Sequence, residues 1–145
     1  MDHRCVARIG LSLLCGIQGI ATIALDLNRT HATNPKWLGH ARFHVVWQTL
    51  TIALQSVVGL GLLWSGFVGE ALGFYLALLL ASLSSLAFML SLAAKSRFGG
   101  TLSDPNGIPP VRVALGGRVI EVDMNLAAVL AALVTIGALI LIYKF

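Results

Sequence analysis

Three of the chain's four histidines lie between His31 and His44, in the segment Asp26-Leu27-Asn28-Arg29-Thr30-His31-Ala32-Thr33-Asn34-Pro35-Lys36-Trp37-Leu38-Gly39-His40-Ala41-Arg42-Phe43-His44. Histidine titrates near neutrality, moves protons and binds metals, so the cluster points to two chemistries. In the first, Asp26 and His44 form an acid–base pair, the carboxylate orienting one ring nitrogen while the other faces a substrate, with His40 and His31 as further catalytic candidates. Gln48 would polarise a substrate oxygen, Asn34 and Trp37 would line the site, and Arg42 or Arg29 would hold an oxygen-rich head group. In the second, His40 and His44 grip a divalent metal as an i,i+4 pair, with His31 and Asp26 as third and fourth ligands. No His-Glu-x-x-His or paired-cysteine spacing accompanies them, so cofactor-free chemistry is the favoured expectation and a metal the alternative. A third reading has the histidines capping loop carbonyls while Trp37 and Trp47 anchor at a membrane interface.

Helical phase extends the cluster. At about 100° per residue, His40, His44, Gln48, Thr51 and Gln55 fall within about 80° of one another, and so do Cys15, Gln18, Thr22 and Asp26. Two neighbouring helices thus each carry one polar stripe through an apolar background. Polar groups in hydrocarbon need partners. The expectation is that the stripes face each other and form a seam or pocket between the first two helices, with Gln18, Thr22 and Thr51 in its wall.

The elements that position these residues follow from composition. Of 145 residues, 57% are hydrophobic and 11% charged, with a mean hydropathy of +0.87. Soluble domains are about half apolar and about a quarter charged, so a soluble enzyme is excluded as the default, and disorder with it. Four apolar runs reach the roughly 20 residues that cross a bilayer: Cys5–Leu27, Phe43–Trp64, Ala71–Ala94 and Met124–Tyr143. Their length makes them helices rather than barrel strands. The first run has Arg4 before it and Arg8 in its first turn, and no small-x-small cleavage site, so it reads as a span rather than a signal peptide. The expected fold is an all-α membrane protein, one domain, with a four-transmembrane-helix bundle.

Four spans put the loops 28–42 and 95–123 on one side. That side holds Arg29, Lys36, Arg42, Lys95, Arg97, Arg112 and Arg118; the other holds Arg4, Arg8 and Lys144. The bias predicts that the loops are cytoplasmic. The net charge of +4, without basic residues interleaved with aromatics, predicts no nucleic-acid partner. Cys5 and Cys15 make no metal spacing. Glu70 suits the N-terminus of the third helix.

In the long loop, Val111–Leu115 and Arg118–Val122 flank Gly116-Gly117, which predicts a short β-hairpin between helices 3 and 4. Val111, Val113 and Leu115 should share a face, with Val119 packing beside them. Such a hairpin would be a lid on the bundle end, or would send Arg112, Arg118, Glu121 or Asp123 into the site. Asp123 or Asn125 can cap the fourth helix.

The pattern Asp26-x-Asn28-x-Thr30-His31-x-x-Asn34-Pro35-x-Trp37-x-x-His40-Ala41-Arg42-Phe43-His44, followed by Gln48-Thr49, resembles that of a family of small four-helix membrane proteins found in bacteria and fungi, whose function is not known. The likeness covers this loop and its flanks and implies a shared site without an activity. In architecture the chain is also similar to the emopamil-binding and sigma-2 receptor superfamily, which includes sterol isomerases and bundles four or five helices around a hydrophobic ligand. An acidic residue ends the first span there, as Asp26 does here. The His-x-x-x-Glu pair of its isomerase branch compares with His44 and Gln48, and glutamine cannot shuttle a proton.

These readings converge on an integral membrane enzyme. It would act by acid–base isomerisation, hydration or cyclisation on a hydrophobic, oxygen-bearing small molecule that enters from the lipid bilayer. The rival is an accessory subunit of a larger membrane complex, for which the small residues Ala127, Ala128, Ala131, Ala132, Gly137 and Ala138 offer a docking face; a stoichiometric companion chain would mark that subunit, a lone monomer or a homo-oligomer the enzyme. A small-molecule carrier is the third possibility, weakened because the second span turns apolar after Ser56.

Overall fold

The computed structural model describes residues 2–145. Four helices run up, down, up and down: α1 His3–Asp26, α2 Gly39–Trp64, α3 Glu70–Ala94 and α4 Met124–Lys144. Each is long and apolar enough to cross a membrane. α1 packs on α2 and α4, α3 packs on the same two, and α1 touches α3 across the diagonal. A hairpin of β1 Val111–Leu115 and β2 Arg118–Val122 stands between α3 and α4.

Helix ends follow local chemistry rather than hydropathy. Asp2 accepts from the Arg4 amide at the start of α1, and Asp123 accepts from the Leu126 amide at 2.9 Å to open α4. α2 begins at Gly39, four residues before the apolar run. Hydropathy marks the part of a helix suited to lipid; nothing in Gly39-His40-Ala41-Arg42 stops the helix extending beyond it. The extended backbone of Leu38 sets its start.

The core gathers at the end with the short connection. Ala7, Leu11, Leu14 and Cys15 of α1 meet Leu63 of α2, Phe74, Ala77, Leu78 and Ala81 of α3, and Ile136, Leu139 and Tyr143 of α4. The Tyr143 ring stacks on Phe74 with centroids 3.9 Å apart. Small residues let the helices approach. A Cβ on Gly19 would lie 3.0 Å from Ser56 Cβ, and one on Gly59 would lie 3.3 Å from Cys15 Sγ. At Gly73 a Cβ would collide with the backbone carbonyl of Leu62, which cannot rotate away. Gly73→Ala should therefore cost about 1–3 kcal/mol of stability by overpacking. Gly16→Ala, where a Cβ meets nothing within 4 Å, should leave the unfolding midpoint close to wild type.

Gly116 and Gly117 both adopt positive φ (55° and 79°), as a two-residue hairpin turn demands. The pairing sets Val113 opposite Ile120 and Val111 opposite Val122. Val119 pairs with Ala114 on the other face, so the expected apolar cluster gains Ile120 and Val122 instead of Val119. Nor is the hairpin a packed lid: all of β1 and all of β2 up to Glu121 are exposed. Arg112 spends its guanidinium on Glu121 across the strands at 3.1 Å, and Asp123 caps α4.

Candidate functional site

The loop after α1 is a hydrogen-bonded structure in its own right. Asn28 Nδ2 donates to the carbonyls of Ala24 (2.7 Å) and Leu25 (2.9 Å), two of those that α1 leaves open at its end. Its Oδ1 is therefore the acceptor, and takes both the amide and the hydroxyl of Thr30 at 2.7 Å. Having given up its proton there, the Thr30 hydroxyl accepts from His31 Nδ1, 2.8 Å away. This network suits the tautomer of His31 that carries its proton on Nδ1. The same Nδ1 lies 3.9 Å from Asp26 Oδ1. Asp26 Oδ2 lies 3.4 Å from the Thr49 hydroxyl, which shares its single proton with the Val45 carbonyl at 2.8 Å. Asp26, Thr30, His31 and Thr49 thus form one partly buried polar cluster.

Asn34 holds the loop to its neighbour. It is 4% exposed; its Nδ2 donates to the carbonyls of Thr30 (3.0 Å) and Asn106 (2.7 Å), and its Oδ1 accepts from the Lys36 amide. The Asn106 bond joins the two loops at one end of the bundle. Every polar group of the Asn34 side chain is engaged, so it is a staple and not the substrate ligand expected. Trp37 packs its ring edge-on to His31, centroids 5.1 Å apart, with Nε1 buried and unpartnered among the described residues.

The expected seam does not form. α1 does turn its stripe inward: Gln18 Nε2 donates to the Ala81 carbonyl of α3 at 3.0 Å, and Thr22 bonds back to the Gln18 carbonyl. Both side chains thus donate to backbone carbonyls within the bundle. On α2, however, the face toward the bundle is Thr49, Ser56, Gly59 and Leu63. The stripe of His40, His44, Gln48, Thr51 and Gln55 begins one residue earlier, about 100° round the helix. His40, His44, Gln48 and Thr51 are exposed and Gln55 is half-buried.

Asp26 therefore pairs with His31, not His44. His44 instead meets His40, Nε2 to Nε2 at 3.0 Å. The proposed four-ligand metal set splits into these two separate pairs, and among the described residues no three His, Cys, Asp or Glu side chains are grouped to hold an ion. Arg42 is half-buried and makes no ion pair among the described residues. Two surface hollows among the described residues lie elsewhere. One of about 430 Å³ runs along α1 beside Ser12, Gly16 and Ile20; one of about 140 Å³ lies between α3 and the long loop near Phe88, Lys95 and Phe98.

A second polar cluster, at the opposite end, was not anticipated. Arg8 donates to the Leu63 carbonyl, contacts Glu70 Oε2 at 3.3 Å and stacks its guanidinium 4.4 Å from the Trp64 ring centroid. Trp64 Nε1 donates to Ser12 Oγ at 2.8 Å. The signal was present: Arg8 inside the first apolar run and Glu70 at the start of α3 carry opposite charges to the same end.

Fold and geometry together define a four-helix bundle of membrane-spanning type, with one polar cluster at each end and one outward polar stripe. Comparison with protein-family models, with curated proteins and with solved structures gives no match, so the functional reading rests on this geometry.

Proposed function

We propose that the chain is a membrane-embedded subunit that works by lateral assembly, with the polar stripe of α2 as its docking edge. The observation that carries this is the outward direction of that stripe. Its neighbours Leu54 and Val57 are 65% and 66% exposed on the same helix, as lipid-facing residues are. A polar group left in hydrocarbon without a partner is costly. The Thr51 hydroxyl is satisfied by the Trp47 carbonyl in its own helix. The Gln48 and Gln55 amides bond to nothing among the described residues.

A second copy is the partner their chemistry fits. Each glutamine amide carries both donor and acceptor. A two-fold axis along the membrane normal sets each amide against its own image and satisfies both. The loop-bearing end faces the cytoplasm in this reading, on the bias of basic residues toward it. The mass of the particle released from native membranes in a lipid nanodisc tests the proposal. Two chains per particle is the expected result. A single chain contradicts it, and a different chain in stoichiometric amount would make the assembly heteromeric.

A second reading, an acid–base enzyme, draws on the Asp26–His31 contact. With the proton on Nδ1, His31 Nε2 is the base and Asp26 steadies the imidazolium that forms. The substrate would be the hydrophobic, oxygen-bearing molecule that the sequence suggests. Lipid extracts of cells expressing the protein should then differ from those expressing Asp26→Asn or His31→Gln, and should not differ from those expressing His44→Gln. Identical extracts throughout would remove this reading.

A further inference from the structure

We infer that His40 and His44 of one chain, together with the same pair of a second copy, form a site for a divalent transition-metal ion of the zinc type. The inference rests on the lateral assembly proposed above. It concerns the loop-side end of the same stripe, in the first two turns of α2.

The two rings stand close enough to share one ion. Their Nε2 atoms converge to 3.0 Å, with ring planes at 90° and centroids 4.5 Å apart. A tetrahedral zinc ion with bonds of about 2.0–2.1 Å separates adjacent ligand nitrogens by about 3.3–3.4 Å. A shift of a few tenths of an ångström, a turn of both rings about χ2 and transfer of the donor ring's proton from Nε2 to Nδ1 convert one arrangement into the other. Without an ion, one Nε2–H donates to the other Nε2; with one, both nitrogens give lone pairs to it. His44 also neighbours Phe43, edge-on at 6.2 Å, and Trp47, tilted at 5.8 Å.

One chain supplies only half a coordination sphere. His31 is committed to Thr30 and Asp26, His3 lies at the far end of α1, and Cys15 is buried in the core. Both rings are nevertheless exposed, on the line that continues through Gln48 and Gln55. Two α2 helices related by a two-fold axis place identical residues opposite each other. Two such pairs supply four imidazole nitrogens, enough to close a tetrahedral site without any other side chain.

The test is a titration of the chelator-stripped full-length protein in nanodiscs with Zn²⁺, and with Co²⁺ as an optical probe of tetrahedral geometry. The expected result is one Zn²⁺ per two chains and the intense visible absorption of tetrahedral Co²⁺. His40→Ala and His44→Ala should lose both signals, His3→Ala should keep both, and circular dichroism should show equal helicity throughout. A two-chain particle that binds no Zn²⁺ overturns the metal site while the assembly reading stands. One Zn²⁺ bound to a single-chain particle overturns the shared site and the assembly together. A single-chain particle without Zn²⁺ also overturns both.

Discussion

Arg8→Ala is expected to cost about 2–4 kcal/mol of stability, read as a fall in the unfolding midpoint in mixed detergent. The guanidinium does three things at once. It satisfies the Leu63 carbonyl, one of the last four of α2, which has no partner within its own helix. A hydrogen bond from a charged donor to such a group is worth about 1.5–3 kcal/mol. It also covers the Trp64 ring, for about 0.5–1 kcal/mol, and holds that ring where Nε1 reaches Ser12. The ion pair with Glu70 adds little, because the Glu70 side chain is 46% exposed. Glu70→Gln should therefore shift the midpoint far less than Arg8→Ala does. Arg8→Lys should restore less than half of the loss, since one ammonium cannot reach a carbonyl, a carboxylate and a ring face together.

The second large effect is on association. Gln48→Leu combined with Gln55→Leu should weaken self-association in lipid about ten- to several-hundredfold, measured with chelator present so that no metal contributes. Two interchain amide pairs at about 0.6–2 kcal/mol each correspond to that range. The monomer should be unharmed, because neither amide has a partner within the chain among the described residues. A leucine at each position only extends a face that already carries exposed Leu54 and Val58. Unchanged association with unchanged folding would show that the stripe does not dock. Loss of folding would show that the amides serve the bundle instead.

Hydropathy made the four spans legible, and Gly116-Gly117 with its flanking strands made the hairpin legible. Asp26 and His31 were both candidates, and they meet. Their partnership was missed because helical phase says which residues share a face, never which way that face turns. Polar pairing alone would turn the stripe of α2 toward α1. The residues that decide the matter are the small ones beside it, Ser56 and Gly59, which admit Gly19 and Cys15 of α1 at close range. In a membrane, close approach by small residues competes with polar pairing for the interior, and here it prevails. The role of Asn34 was hidden for a different reason. Its partner Asn106 lies 72 positions away, in a loop whose path no local pattern reveals. The Arg8 clasp likewise joins three helices, and only topology brings its members together.

The central claim is that the α2 stripe meets a second copy, and cross-linking in native membranes tests it most directly. With Cys5→Ser and Cys15→Ala as background, a single cysteine is placed at Thr51, mid-stripe on α2, or at Ile17, which is 64% exposed near the middle of α1. The account predicts that oxidation or a short bis-maleimide links Thr51→Cys chains into dimers and leaves Ile17→Cys chains single. Equal linking at both positions, or none at Thr51, would contradict it.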